Sequence, residues 1–181
     1  MSRPVRFVAL LFPNVTQLDL TGPVQLFSRL PGATIDLAWH DREPVGTDAG
    51  FAIMPTVTFD EAPQADVLMV PGGQGAFDLL ETIGAVPEQA RVVRDVRIIT
   101  GGGVTSGVDF ALTVAAEVYD DAAARAVQLA VEYDPHPPFD AGSPTRPEAD
   151  AEQVRRAVAD ARRSRGPVVS RAASRLGLAS C

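Results

Sequence analysis

The apolar positions of the chain fall into two alternating rhythms. Val5 to Phe12, VRFVALLF, is a near-continuous apolar run closed by Pro13-Asn14, the pattern of a parallel strand buried on both faces. Val24, Phe27 and Leu30 then recur at helical spacing. They predict a helix entered at Gly22-Pro23, with proline at an early position where its missing N–H costs nothing. ATIDLAWH, Ala33 to His40, alternates as a second strand. EPVGTDAGFAIMPTVTF predicts two short strands around a Thr47-Asp48-Ala49-Gly50 turn, an excursion at the sheet edge. Asp60 is expected to open a short helical turn before ADVLMVPGG, whose VLMV reads as a strand ending at Pro71 and Gly72-Gly73.

Further on, ARVVRD and VRIITGGG predict a pair of short strands turning near Arg94-Asp95. VTSGVDFALTVAAEVY predicts a helix with Val108, Leu112, Ala115 and Ala116 on one face. DDAAARAVQLAVEY predicts another, with Asp120-Asp121 at its positive end and Glu132, Tyr133 and Asp134 at its exit. DPHPPFDAGSPTRP carries five prolines and is expected to be extended. In EADAEQVRRAVADARRSR, Val154, Ala157, Val158 and Ala161 share a stripe, acids first and arginines last, a weakly apolar helix. GPVVSRAASRLGLASC then reads as a loose tail. Strands alternating with helices, with glycine turns at strand ends, predict a parallel α/β sheet. In that architecture chemistry gathers beyond the carboxyl ends of the strands. PNVTQLDLTGP, PGGQG and GGGVTSG are expected to converge there.

Composition narrows the classes. A length of 181 residues at 46% apolar content supports one domain with a core. The boundaries expected are an α/β domain over 1–145 and a C-terminal helix with a basic tail over 146–181. The longest apolar runs are far too short to cross a bilayer, and the first of them reads as a strand rather than a signal peptide. A cytoplasmic protein is expected. The sixteen basic residues are all arginine, so no lysine is present for a Schiff base or a Walker-type phosphate site. The only cysteine is Cys181, and the only histidines are His40 and His136, a set from which neither a disulfide nor a cysteine metal cluster can be built. No metal and no organic cofactor are expected. The net charge of −7 is divided: residues 155–181 hold seven arginines and one acid, a net of +6, and the first 154 residues carry −13. The acidic body argues against nucleic-acid binding.

At the three turns each candidate has two readings. Asp19, in an apolar stretch after the first strand, either caps the helix near Gly22 or is a buried acid with a raised pKa that moves a proton. Gly72-Gly73 either offers bare N–H groups to a developing negative oxygen or makes a tight turn needing positive φ. Gly101-Gly102-Gly103 lacks the spacing and the lysine of a phosphate loop, so close packing of the turn is the expected role. Thr105 and Ser106 head a helix, where hydroxyls cap, and no histidine is near them in sequence to make either a nucleophile. His40 and His136 read as a strand-end histidine and a surface histidine.

Taken in order, LFPNVTQLDLTGPVQLFSRL, ADVLMVPGG, RIITGGGVTSGVDFALTVAAEV and VQLAVEYDPHPPFDAGSP resemble the DJ-1/PfpI superfamily, and within it the isonitrile hydratase-like branch. The resemblance covers nearly all of residues 4–144. It implies a flavodoxin-like sheet sandwiched by helices, of the class I glutamine amidotransferase-like kind, and a homodimer acting on a small molecule. The reaction implied is addition of water to an isocyanide to give an N-substituted formamide, without metal or organic cofactor. A cysteine on a strand-to-helix elbow attacks the terminal carbon, a buried acid manages the proton, and a glycine turn flanks the elbow. Asp19 matches the acid and Gly73 the backbone donor. Gly72, Thr105 and Ser106 would line the substrate pocket.

The same resemblance exposes a gap. In the family a helix, a strand, the cysteine elbow and its helix lie between PGG and the hairpin, whereas here GAFDLL runs almost directly into ETIGAVPEQ. A block larger than one ~30-residue βαβ unit is missing near 80–84, and with it the nucleophile. Two outcomes are expected for the shortened sheet: either VLMV pairs with RIIT, or apolar surface stays open and leans on a second subunit. The activity expected is impaired or absent hydratase chemistry, the alternative being a non-catalytic small-molecule-binding or dimerising remnant.

Overall fold

A computed structural model describes residues 4–72, 85–86, 88–146 and 148–177. The chain forms two compact units, Met1–Gly73 with Glu88–Tyr133, and Gln74–Pro87 with Asp134–Cys181.

The first unit is built on β1 (Arg6–Leu10), flanked in a parallel sheet by β2 (Thr34–Trp39) on one side and β6 (Val67–Met69) on the other. Between β2 and β6 in sequence lie β3 (Val45–Gly46), β4 (Ala52–Ile53) and β5 (Val57–Thr58). The first two form the expected antiparallel excursion around the Thr47–Gly50 turn. The third, unforeseen, pairs with the end of β2 to give a four-stranded sheet of order β5-β2-β1-β6. β5 was illegible because two residues carry no period. Asp60 opens no helix: Thr58 N–H donates to Glu61 Oε2 at 2.9 Å and Glu61 N–H to Thr58 Oγ1 at 3.3 Å, which closes a tight turn instead.

Alternation decides the faces. Phe7, Ala9 and Leu11 point to one side of the sheet with Met69, and there they meet α1 (Gln17–Phe27), α2 (Ser106–Val118) and α3 (Asp121–Ala130) in one apolar cluster. Phe7 stacks on Phe27 at 4.3 Å between ring centroids. β7 (Val92–Asp95) and β8 (Ile98–Gly101) form a separate antiparallel hairpin, tied to α2 by the Arg91–Asp109 and Arg94–Glu117 ion pairs. Its turn is Val96-Arg97, two residues later than expected, since Asp95 pairs with Ile98 and Val96 takes φ 50°.

Among the described residues VLMV and RIIT do not pair; β6 has β1 as its one neighbour. Of the two outcomes expected, the pairing of VLMV with RIIT is thus not met among the described residues. Leu68 and Val70, at the open edge, are 62% and 63% exposed.

Two helices differ from the sequence reading. α1 begins at Gln17, five residues before Gly22, and Pro23 lies in its interior. The ring cannot donate to the Asp19 carbonyl one turn back, yet it is buried against Gly107 of α2, at whose position a Cβ would sit 3.4 Å from Pro23 Cδ. In the second unit α4 (Ala151–Arg175) replaces the loose tail: it is capped by Asp150, whose Oδ1 accepts from the Glu152 and Gln153 amides, and it continues through Gly166-Pro167. Pro167 fits the helical φ but removes one hydrogen bond there and crowds the carbonyl one turn back. No helix among the described residues is long and apolar enough to cross a membrane.

Candidate active site

β1 leads through α1 to β2 on one side, and the chain later returns to β6 on the other side of β1. The direction of winding thus reverses at β1, and the crevice between the carboxyl ends of β1 and β6 is where open α/β sheets bind ligands. Asp19 follows β1 and Gly72 follows β6, and the fold brings these two together. A Cβ built on Gly72 would overlap Asp19 Oδ2. Thr16 N–H donates to the Gly72 carbonyl at 3.1 Å, which pins the end of the β6 strand to the start of α1. Gly72 is therefore a glycine because of close approach. Positive φ is not the reason, as its φ lies outside the left-handed region that Gly103 occupies at 120°.

Asp19 is half-buried in the first turn of α1 and caps nothing there. Burial raises its carboxyl pKa above the ordinary aspartate value, and the nearby negative charge of Asp48 raises it further. Such a group holds its proton to higher pH than an ordinary aspartate and is placed to deliver or take one beyond the strand ends. The cap of α1 comes from elsewhere: Asp48 Oδ1, in the β3–β4 turn, accepts from Gln17 N–H at 3.1 Å. In sequence Asp48 reads as a turn residue only, and its Thr-Asp-Ala-Gly context carries no sign of a partner thirty-one positions away.

Ser106 opens α2, is 1% exposed, and donates its hydroxyl to the Gly103 carbonyl. Thr105 stands at the N-cap position, exposed, and its side chain makes no capping hydrogen bond. The expectation of N-cap hydroxyls is corrected accordingly: the tight Gly103 turn lets the Ser106 hydroxyl fold back on the preceding carbonyl. Gly107 lies against Pro23 and Asp19 Cα, so α2 starts beside Asp19 while its two hydroxyls are not directed to it by any described hydrogen bond. Gly102 packs as expected: a Cβ there would overlap the Ala90 carbonyl oxygen. His40 is exposed beside Asp41 and tilted over Trp39, and His136 is exposed beside Asp134. Tyr133 is a helix-exit residue, and its hydroxyl also donates to Asp109 Oδ1 at 3.0 Å. Gly73, Cys181 and the junction near 80–84 lie outside the described residues. Among the described residues no group of three His, Cys, Asp or Glu side chains could hold a metal.

The DJ-1/PfpI family model matches residues 5–86. Over 220 aligned positions the chain is 37% identical to isonitrile hydratase of Pseudomonas putida, which takes in 93% of this chain and 96% of that protein. The chain belongs to the DJ-1/PfpI family. Among solved structures, a THiJ/PfpI family protein from Pseudomonas syringae superposes with a TM-score of 0.83 at 32% identity, covering 93% of this chain and 90% of that one. Oxidized DJ-1 of Toxoplasma gondii, at 18% identity and a TM-score of 0.64, shares the fold over 72% of this chain. The flavodoxin-like architecture of this DJ-1/PfpI family member therefore stands on its solved structural neighbours, and its likeness to isonitrile hydratase on sequence.

Proposed function

We propose that this chain keeps the proton-handling half of an isonitrile hydratase-like site and has lost its covalent half. The observation that carries the reading is Asp19, half-buried with a raised pKa and seated over Gly72 at the crevice between β1 and β6. Two facts support the loss. The only cysteine is residue 181, and the 220 aligned positions outnumber the 181 residues of the chain, so part of the relative has no counterpart here. The reading goes with an internally shortened 1–145 domain followed by an appended 146–181 segment, in a cytoplasmic setting, with Gly72, Gly73, Thr105 and Ser106 around the small molecule.

Without a thiol, one route remains. Asp19 gives its proton to the terminal isocyanide carbon, water adds to that same carbon, and the proton shed by the water returns to the carboxylate. Tautomerisation then yields the N-substituted formamide, so R–NC and H2O are consumed in equal number. Loss of a covalent nucleophile costs several orders of magnitude in rate, so the expected product is small in amount. Because the step needs protonated Asp19, residual turnover is expected to fall as pH rises through the carboxyl pKa. A second reading, a non-catalytic binding or dimerising remnant, is favoured by the open β6 edge with its exposed Leu68 and Val70.

Formamide production from a simple aliphatic isocyanide, measured for the purified protein beside Asp19→Asn and Cys181→Ser, separates these. Slow turnover abolished by Asp19→Asn and untouched by Cys181→Ser is the expected result. Turnover lost in Cys181→Ser would overturn the reading by giving the site its thiol back. No turnover from a cooperatively melting protein would leave the binding or dimerising remnant.

A further inference from the structure

We infer that Asp48 is a positioning residue for Asp19, clamping from the β3–β4 hairpin the first turn of α1, on which Asp19 stands. The inference rests on Asp19 being the proton carrier proposed above. Its geometry is a set of reciprocal bonds between the hairpin and the segment leading into α1. Asn14 N–H donates to Gly46 O at 2.8 Å, and Asp48 N–H donates to Val15 O at 3.1 Å. Val15 and Thr47 pair as a parallel bridge, and both are buried. Asn14, at φ 62°, turns the chain out of β1 into this clamp, a conformation asparagine tolerates. Thr47 in turn is locked by its own hydroxyl, which donates to Phe51 O at 2.8 Å. The result is that the Asp48 carboxylate is delivered to the Gln17 amide, in the same helical turn as Asp19.

Among the described residues around Asp19, Asp48 is the charge that bears on it. On α1, Thr21 and Gln17 are neutral and bond to each other at 3.0 Å. The end of β6 presents the Gly72 backbone, and α2 presents Gly107 and a Ser106 hydroxyl already given to Gly103. The next acid on α2, Asp109, is engaged by Arg91 and Tyr133. Among the described residues Asp48 is the charged group acting on Asp19, and it acts to keep the Asp19 proton on. Asp48 is itself exposed, so its influence must weaken when salt screens it.

The test is a carbon-13 NMR titration of the Asp19 carboxyl, assigned by its disappearance in Asp19→Asn. Asp48→Asn keeps an oxygen for the Gln17 amide and removes the charge; Asp48→Ala removes both. In Asp48→Asn the Asp19 midpoint is expected to fall while the melting temperature stays near that of the parent. In Asp48→Ala the melting temperature is expected to fall as well. Independently of any variant, molar sodium chloride should lower the Asp19 midpoint of the unmodified protein. An Asp19 midpoint that is unchanged in Asp48→Asn and insensitive to salt would overturn the inference. The titration reads Asp19 whether or not isocyanide is consumed. Absent turnover with the expected titration would thus sink the functional reading alone.

Discussion

At the residue scale the contact between Gly72 and Asp19 concentrates what is particular to this chain. The carboxylate lies where any side chain at position 72 would begin. Gly72→Ala is therefore expected to force Asp19 out of its position, with a destabilisation of about 1–3 kcal/mol, the usual range for overpacking. Because the obstacle is the end of a side chain, most of that loss should vanish in an Asp19→Ala background. Denaturant melts of the four proteins of this cycle measure it. A loss of the same size in both backgrounds would place the strain in the backbone instead. That Gly72 matters was legible in the sequence; the reason was not, since a glycine chosen for positive φ and one chosen for close approach look alike until the neighbour is known.

At the scale of elements, the start of α3 is legible from a local aspartate, whereas the hydroxyls heading α2 do not cap it and the cap of α1 comes from a distant residue. Asp120 precedes α3 and accepts from the Ala123 amide at 2.8 Å, as an aspartate at that position should. Asp120→Ala is expected to cost about 1 kcal/mol by thermal or chemical melt. Asp121→Ala, which breaks only the exposed pair with Arg125, should stay within about 0.5 kcal/mol of the parent. Equal effects would mean that the cap bond does not order the helix start. α1, by contrast, takes its cap from Asp48 across the fold, so its start at Gln17 could not be read from the apolar spacing of Val24, Phe27 and Leu30. The interior Pro23 misled for the same reason: its ring is seated against Gly107, a tertiary contact that offsets the missing hydrogen bond.

At the scale of the molecule the open edge of the sheet is the main liability. Parallel sheets are ordinarily covered on both faces, and an uncharged edge strand invites pairing with another chain. Leu68 in β6 and Val70 just after it expose most of their surface, with no charge between Val67 and Val70 to discourage association. Sedimentation is expected to show self-association that grows with protein concentration, and Leu68→Lys should weaken it. A protein that stays monomeric at high concentration would show that the edge is blunted in some other way.

The hydrophobic pattern by itself determined the class of fold, the parallel strands around β1, the β3–β4 excursion, the β7–β8 hairpin and the helices α2 and α3. Each follows from short-range periodicity and turn chemistry, which need no knowledge of distant residues. The motifs also located Asp19 and Gly72 at strand ends and pointed to the family. Tertiary structure alone decided that Asp19 and Gly72 touch, that Ser106 turns back to Gly103, that Asp48 governs the start of α1, and that β6 is the last strand of the sheet among the described residues. These are statements about which parts of the chain meet, and the forces behind them, close packing, desolvation and long-range hydrogen bonds, leave no mark on the spacing of residues along the chain.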